Sequence, residues 1–112
     1  MTIEKIISIL DCKILNLDVS TDSSVDSVYA TDLMSDVLAN CKKGSLLLTI
    51  LSNLQSVRAA EMTEVQVVCY VSGRQPKPEA LAHGKKKQMT ILTTDYSMYR
   101  ACSLLHDAGL KE

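Results

Sequence analysis

Apolar positions follow two rhythms along the chain, a helical spacing of three and four and short, nearly unbroken apolar runs. Ile3, Ile6, Ile7 and Leu10 fall on one helical face, with Thr2 placed to cap it and Glu4 near its positive end. Cys12 to Leu17 reads as a strand, and the Ser-, Thr- and Asp-rich stretch from Asp18 to Asp26 as the main loop. Val25 to Ala30 predicts a short strand in which Val28 and Ala30 alternate with Ser27 and Tyr29. The helical period returns with Met34, Val37, Leu38 and Cys41, which predicts a helix capped by Thr31 and ended by Gly44.

Ser45 to Leu51 is nearly continuous in Leu and Ile, the signature of a strand covered on both faces. Ser52 or Asn53 then caps a helix to about Thr63, and Val65 to Val71 is a second apolar strand. After the breakers Gly73 and Pro76, Pro78 suits the first turn of a helix running through Ala82, followed by a basic turn at Lys85 to Lys87. Met89 to Leu92 predicts a third buried strand. Asp95 is placed to cap a last helix built on Met98, Cys102 and Leu105 and stopped by Gly109. Strand and helix alternate, which predicts an α/β fold: one three-layer domain over 1–112, its mostly parallel sheet flanked by helices.

Composition narrows the function more than the fold. At 112 residues there is room for one domain, and 46 % hydrophobic against 22 % charged residues is ordinary for a globule. Phe and Trp are absent and only four Tyr remain, so platforms for stacking bases are few, and no nucleic-acid partner is expected. The net charge of −1 hides an acidic front: two lysines face seven acids up to Cys41, and ten bases face six acids beyond it. That split suits contacts between copies as well as an ordinary solvated surface. No secretory signal and no apolar run of membrane-spanning length is present, so a cytoplasmic chain without a membrane partner is expected. Cys12, Cys41, Cys69 and Cys102 lie far apart within apolar segments, as buried reduced thiols do.

Catalytic motifs are missing. Neither G-x-x-x-x-G-K-[ST] nor G-x-G-x-x-G occurs, and no serine sits in a G-x-S-x-G elbow. No cofactor or metal is expected, because His83 and His106 stand apart from the cysteines. Helix starts at Thr31-Asp32, Ser52-Asn53 and Thr94-Asp95 offer free N–H groups beyond strand ends, where open α/β sheets bind ligands, although each start could simply be capped. Arg74, after Gly73, is placed either to clamp a phosphate or carboxylate or to form a surface ion pair.

Three segments, Tyr29 to Ala39, Lys43 to Thr49 and Leu92 to Tyr99, together resemble the small stand-alone DRTGG-domain proteins of anaerobic bacteria, and through them the N-terminal domain of HPr kinase/phosphorylase. The literal Asp-Arg-Thr-Gly-Gly string is absent, so no ligand residue is taken from it. The resemblance implies a non-catalytic regulatory or assembly module, homodimeric, accessory to redox and hydrogenase metabolism through a protein partner. A small-ligand sensor for a nucleotide or phosphorylated metabolite is the alternative. The kinase activity of that enzyme belongs to a separate P-loop domain and is not carried over. The resemblance places Asp32, Ser35, Asn53 and Asp95 at the sheet ends, and with Arg74 they form the candidate ligand-binding set.

Overall fold

Thr2 begins the first helix as its sequence predicts, its Oγ1 accepting the Lys5 N–H at 3.1 Å. In the computed structural model, which describes residues 1–16 and 19–112, that helix is α1 (Ile3–Leu10), closed by Asp11 in the left-handed region at φ 50°. The elements that follow are β1 (Lys13–Ile14), β2 (Ser27–Ala30), α2 (Met34–Asn40), β3 (Ser45–Thr49), α3 (Leu54–Met62), β4 (Val67–Tyr70), α4 (Pro78–Lys86), β5 (Thr90–Thr93) and α5 (Met98–Asp107).

The five strands form one sheet in the order β1-β5-β4-β3-β2. β2 to β5 run parallel, and β1 alone is antiparallel, pairing Lys13 with Thr93 and Ile14 with Leu92. Parallel neighbours in chain order require crossovers, and α2, α3 and α4 supply them on one face over Val37, Leu47, Val57, Val68 and Ile91. α1 and α5 pack together on the other face over Leu46, Leu48, Cys69 and Leu92. Within the acidic front, α1 packs against α5 of the same chain. The result is a single three-layer α/β domain with a mostly parallel sheet between helices.

Several boundaries differ from expectation. Thr31 does not cap α2: Leu33 holds the N-cap position, and Thr31 Oγ1 accepts the Leu33 N–H in a turn just before it. Asp95 does not cap α5; Ser97 does, accepting from Arg100 N–H. The strand expected from Ser45 to Leu51 stops at Thr49, whose Oγ1 accepts the Leu51 N–H and turns the chain. Helix α4 runs through Gly84 and into the basic run expected as a turn, because Gly84 lies against the sheet. A Cβ there would meet Ile91 Cδ1 at 2.9 Å. The expected strand from Cys12 yields only two paired residues, and its end at Leu17 lies outside the described residues.

Burial holds the thiols of Cys41 and Cys102 above 9.0 and the phenol of Tyr70 above 10.0. For Cys69 the contact with Cys12 acts first and burial adds to it. In each case the folded value exceeds the unfolded one. The neutral forms thus favour folding fully below about pH 9, and that contribution is lost as pH rises through the raised folded values. The urea midpoint is expected to hold near neutrality and fall once pH rises above about 9; a flat midpoint would show these groups to be solvated.

Candidate functional site

Crossovers on one face send every strand-to-helix loop of β2 to β5 to one edge of the sheet, so Asp32, Ser35, Asn53, Arg74 and Asp95 share that edge. Asp32 is used internally: its Oδ1 accepts from Thr49 Oγ1 at 3.1 Å and from Ile50 N–H at 2.8 Å, tying the β2–α2 loop to the end of β3. Asp36, one turn on, accepts from Asn40 at 2.7 Å and from the Tyr29 hydroxyl at 2.8 Å. Both bonds hold its carboxyl below 3.8, and the bond to Asp36 together with partial burial pushes the Tyr29 phenol above 10.0. The two acids thus make separate bonds within the chain, Asp32 to the end of β3 and Asp36 to Tyr29 and Asn40.

Ser35 is exposed in the first turn of α2, and Asn53 holds the α3 N-cap position without a side-chain cap bond. Arg74 and Asp95 are exposed. Among the described residues Arg74 forms no ion pair. The chain leaves β4 for one face and β5 for the other, which makes the gap between them the switch point where open sheets bind ligands. Here the two loops are laced across it. Ser72 N–H donates to Tyr96 O at 2.8 Å and Gly73 N–H to Thr94 O at 3.0 Å. Gly73 has φ 71°, and a Cβ on it would lie 3.4 Å from Asp95 Oδ1.

The opposite edge holds a cavity of about 500 Å³, lined by the starts of β3, β4 and β5, by α1, by the β1–β2 connection and by the end of α4. Ile3, Val25 and Val67 give it apolar surface, while Ser45, Gln66, Gln88 and Thr90 supply hydroxyls and amides. Lys85 is the charged residue among the described lining. The carboxyl ends of α2, α3 and α4 point toward this edge with their partial negative charge, and Lys42, Lys43 and Lys85 to Lys87 stand beside them to offset it. Gly44, at φ 81°, brings its backbone to the wall, its carbonyl accepting the Asp26 N–H at 3.0 Å.

Asn16 closes the wall beside β5. Its buried amide donates to Met89 O and accepts the Ile91 N–H at 3.0 Å, so one side chain continues the β1 ladder after the backbone has left it. None of these lining residues belongs to the sequence-derived set. Their signal is an amide interrupting an apolar run, as in Ile14-Leu15-Asn16 and Val65-Gln66-Val67. Among the described residues no cluster of three or more His, Cys, Asp or Glu is placed to hold a metal, and no helix is long and apolar enough to cross a membrane.

No protein-family model and no curated protein matches the chain. A solved structure does: the CBS and DRTGG domains of the regulatory region of Clostridium perfringens pyrophosphatase, in complex with its activator diadenosine tetraphosphate. The TM-score is 0.70 at 13 % identity, over 93 % of this chain and 45 % of that one. The likeness supports a DRTGG-like fold. This chain spans less than half of that regulatory region, and at such identity the likeness shows the fold alone. The comparison carries no support for HPr kinase/phosphorylase in particular.

Proposed function

We propose that this chain is a non-catalytic regulatory domain whose input is a small nucleotide-type ligand bound in the cavity at the amino edge of the sheet. The observation that carries the reading is the shared fold over 93 % of the chain with a regulatory region solved with a nucleotide activator. The cavity lies within the 300–1,000 Å³ range of small-molecule sites. Gln66 and Gln88 offer paired donors and acceptors of the kind that match a base edge, and Lys85 offers one cation for a phosphate. The reading includes a homodimer, for which exposed Leu33 and Leu38 beside the edge strand β2 supply apolar surface. It also includes a cytoplasmic setting, in keeping with four cysteines left as free thiols, and an accessory role in redox metabolism, which rests on the family resemblance.

The carboxyl edge is the second place for a ligand or partner. It is favoured by Ser35, Asn53, Arg74 and Asp95, whose side chains are exposed and form no side-chain hydrogen bond among the described residues.

Thermal unfolding with diadenosine tetraphosphate, ATP, AMP and inorganic phosphate, followed by light scattering of the same samples, tests both parts. A ligand at a hundred times its Kd adds about 2.7 kcal/mol, roughly 10 °C or more for a domain of this size. Lys85→Ala and Gln66→Ala, both at exposed positions, are expected to reduce that shift without lowering the melting temperature of the free protein. No shift across the panel would sink the ligand reading, and a monomer mass at micromolar concentration would remove the dimer.

A further inference from the structure

Two thiols 57 positions apart in sequence meet in the layer between the sheet and α1/α5: Cys12 Sγ lies 3.9 Å from Cys69 Sγ. β5 runs between their strands, since Leu92 pairs with Ile14 of β1 on one side and with Cys69 of β4 on the other. The two side chains therefore approach each other across β5 on the same face. Their settings differ. Cys69 is fully buried in a strand paired on both sides, whereas Cys12 is half-buried and precedes the two residues of β1 that pair. Its backbone belongs to the turn out of α1, where Asp11 adopts φ 50° and Cys12 N–H donates to Ile7 O at 3.0 Å.

We propose that Cys12 and Cys69 form a dithiol modification site, closed to an intramolecular disulfide by a hydroperoxide oxidant. Cys12, the thiol nearer solvent, is the site of first attack: its thiolate sulfur bonds to one peroxide oxygen, the O–O bond breaks, and hydroxide leaves. Cys69 sulfur then displaces the hydroxyl from the Cys12 sulfenic acid, its proton going with that hydroxyl as water. In total two thiols lose two electrons and two protons, and one hydrogen peroxide is reduced to two waters. The sulfurs must close from 3.9 Å to the roughly 2.05 Å of a disulfide, a movement that falls to the Asp11-Cys12 turn rather than to β4. Burial of Cys69 makes closure slow, so the end point is the quantity to read.

The other cysteines provide internal controls. Cys41 lies in the opposite layer with α2 and cannot join, whereas Cys102 on α5 lines the same layer and is the competitor. The proposal stands apart from the ligand reading, because its readout is covalent and needs no ligand.

The full chain is treated with hydrogen peroxide, its remaining thiols are capped with N-ethylmaleimide, and intact mass and peptide maps are recorded. The expected product has lost two hydrogens, takes two caps instead of four, yields a linked Cys12–Cys69 peptide and returns to four caps after dithiothreitol. Cys102→Ser is expected to keep that product and Cys12→Ser to abolish it; Cys12 is half-buried, so a serine is tolerated there. A chain with four cappable thiols after peroxide would overturn the proposal. So would oxidation halting at Cys12 without a link, a Cys12–Cys102 link, or links only between chains.

Discussion

Replacing Asn16 by leucine is expected to lower folding stability by about 2–4 kcal/mol, although the two side chains have nearly the same branched shape. The loss comes from what the amide does. It pairs Met89 O and the Ile91 N–H where β1 has already left β5, and it is buried, with 3 % of its surface exposed. Leucine fills the space but leaves a buried carbonyl and a buried N–H without partners, each costing about 1–3 kcal/mol. Asn16→Asp separates the two halves: an ionised carboxylate still accepts from Ile91 but faces the Met89 oxygen, so its stability should recover as pH falls and the protonated acid donates again. Urea denaturation of the three proteins at pH 7 and about pH 4 reads this out. A leucine variant within about 0.5 kcal/mol of the parent would show that Asn16 is not completing the ladder.

Tyr70→Ala is expected to cost about 3–5 kcal/mol, the range for truncating a buried aromatic ring. Tyr70 is fully buried on the β4 face that receives α3, and it heads the largest buried side chains. Its hydroxyl lies 2.7 Å from Ser56 Oγ, which itself donates to Asn53 O at 2.7 Å; the Tyr70 O–H is therefore the donor to Ser56. Tyr70→Phe removes only that bond and leaves Ser56 donating to Asn53, so its loss should be about 0.5–1.5 kcal/mol. The gap between Ala and Phe measures ring packing, and thermal or urea unfolding of both supplies it. Equal losses would mean that the hydroxyl, not the ring, holds α3 to the sheet.

What the residue pattern reveals and what it hides follow from the range of the forces involved. Local signals are readable. Thr2 caps α1, Pro78 opens α4, and Gly109, at φ 99°, ends α5 as the sequence implies. The parallel core is readable too, because strands buried on both faces must be apolar throughout, as Leu46 to Leu48 and Val67 to Tyr70 are. The errors arise where a distant partner outbids a local one. Asp32 looks like a first-turn acid, yet Thr49 and Ile50 claim it and α2 starts later. Lys85 to Lys87 look like a basic turn, yet α4 runs on to Lys86, with Gly84 packed too closely against Ile91 to carry a side chain.

The site follows the same division. That Asp32, Ser35, Asn53, Arg74 and Asp95 share one edge follows from topology and was visible in the order of elements. The cavity was not, because it depends on the antiparallel return of β1 beside β5 and on side-chain amides acting as backbone, which no period reveals.

Backbone amide NMR during titration with diadenosine tetraphosphate tests the regulatory-ligand reading most directly. Shift changes that saturate and cluster at Ser45, Gln66, Lys85, Gln88 and Thr90 are the predicted result. Changes confined to the opposite edge, around Ser35, Asn53, Arg74 and Asp95, would contradict the assignment to the cavity, and a spectrum unmoved by the nucleotide would contradict the proposed input itself.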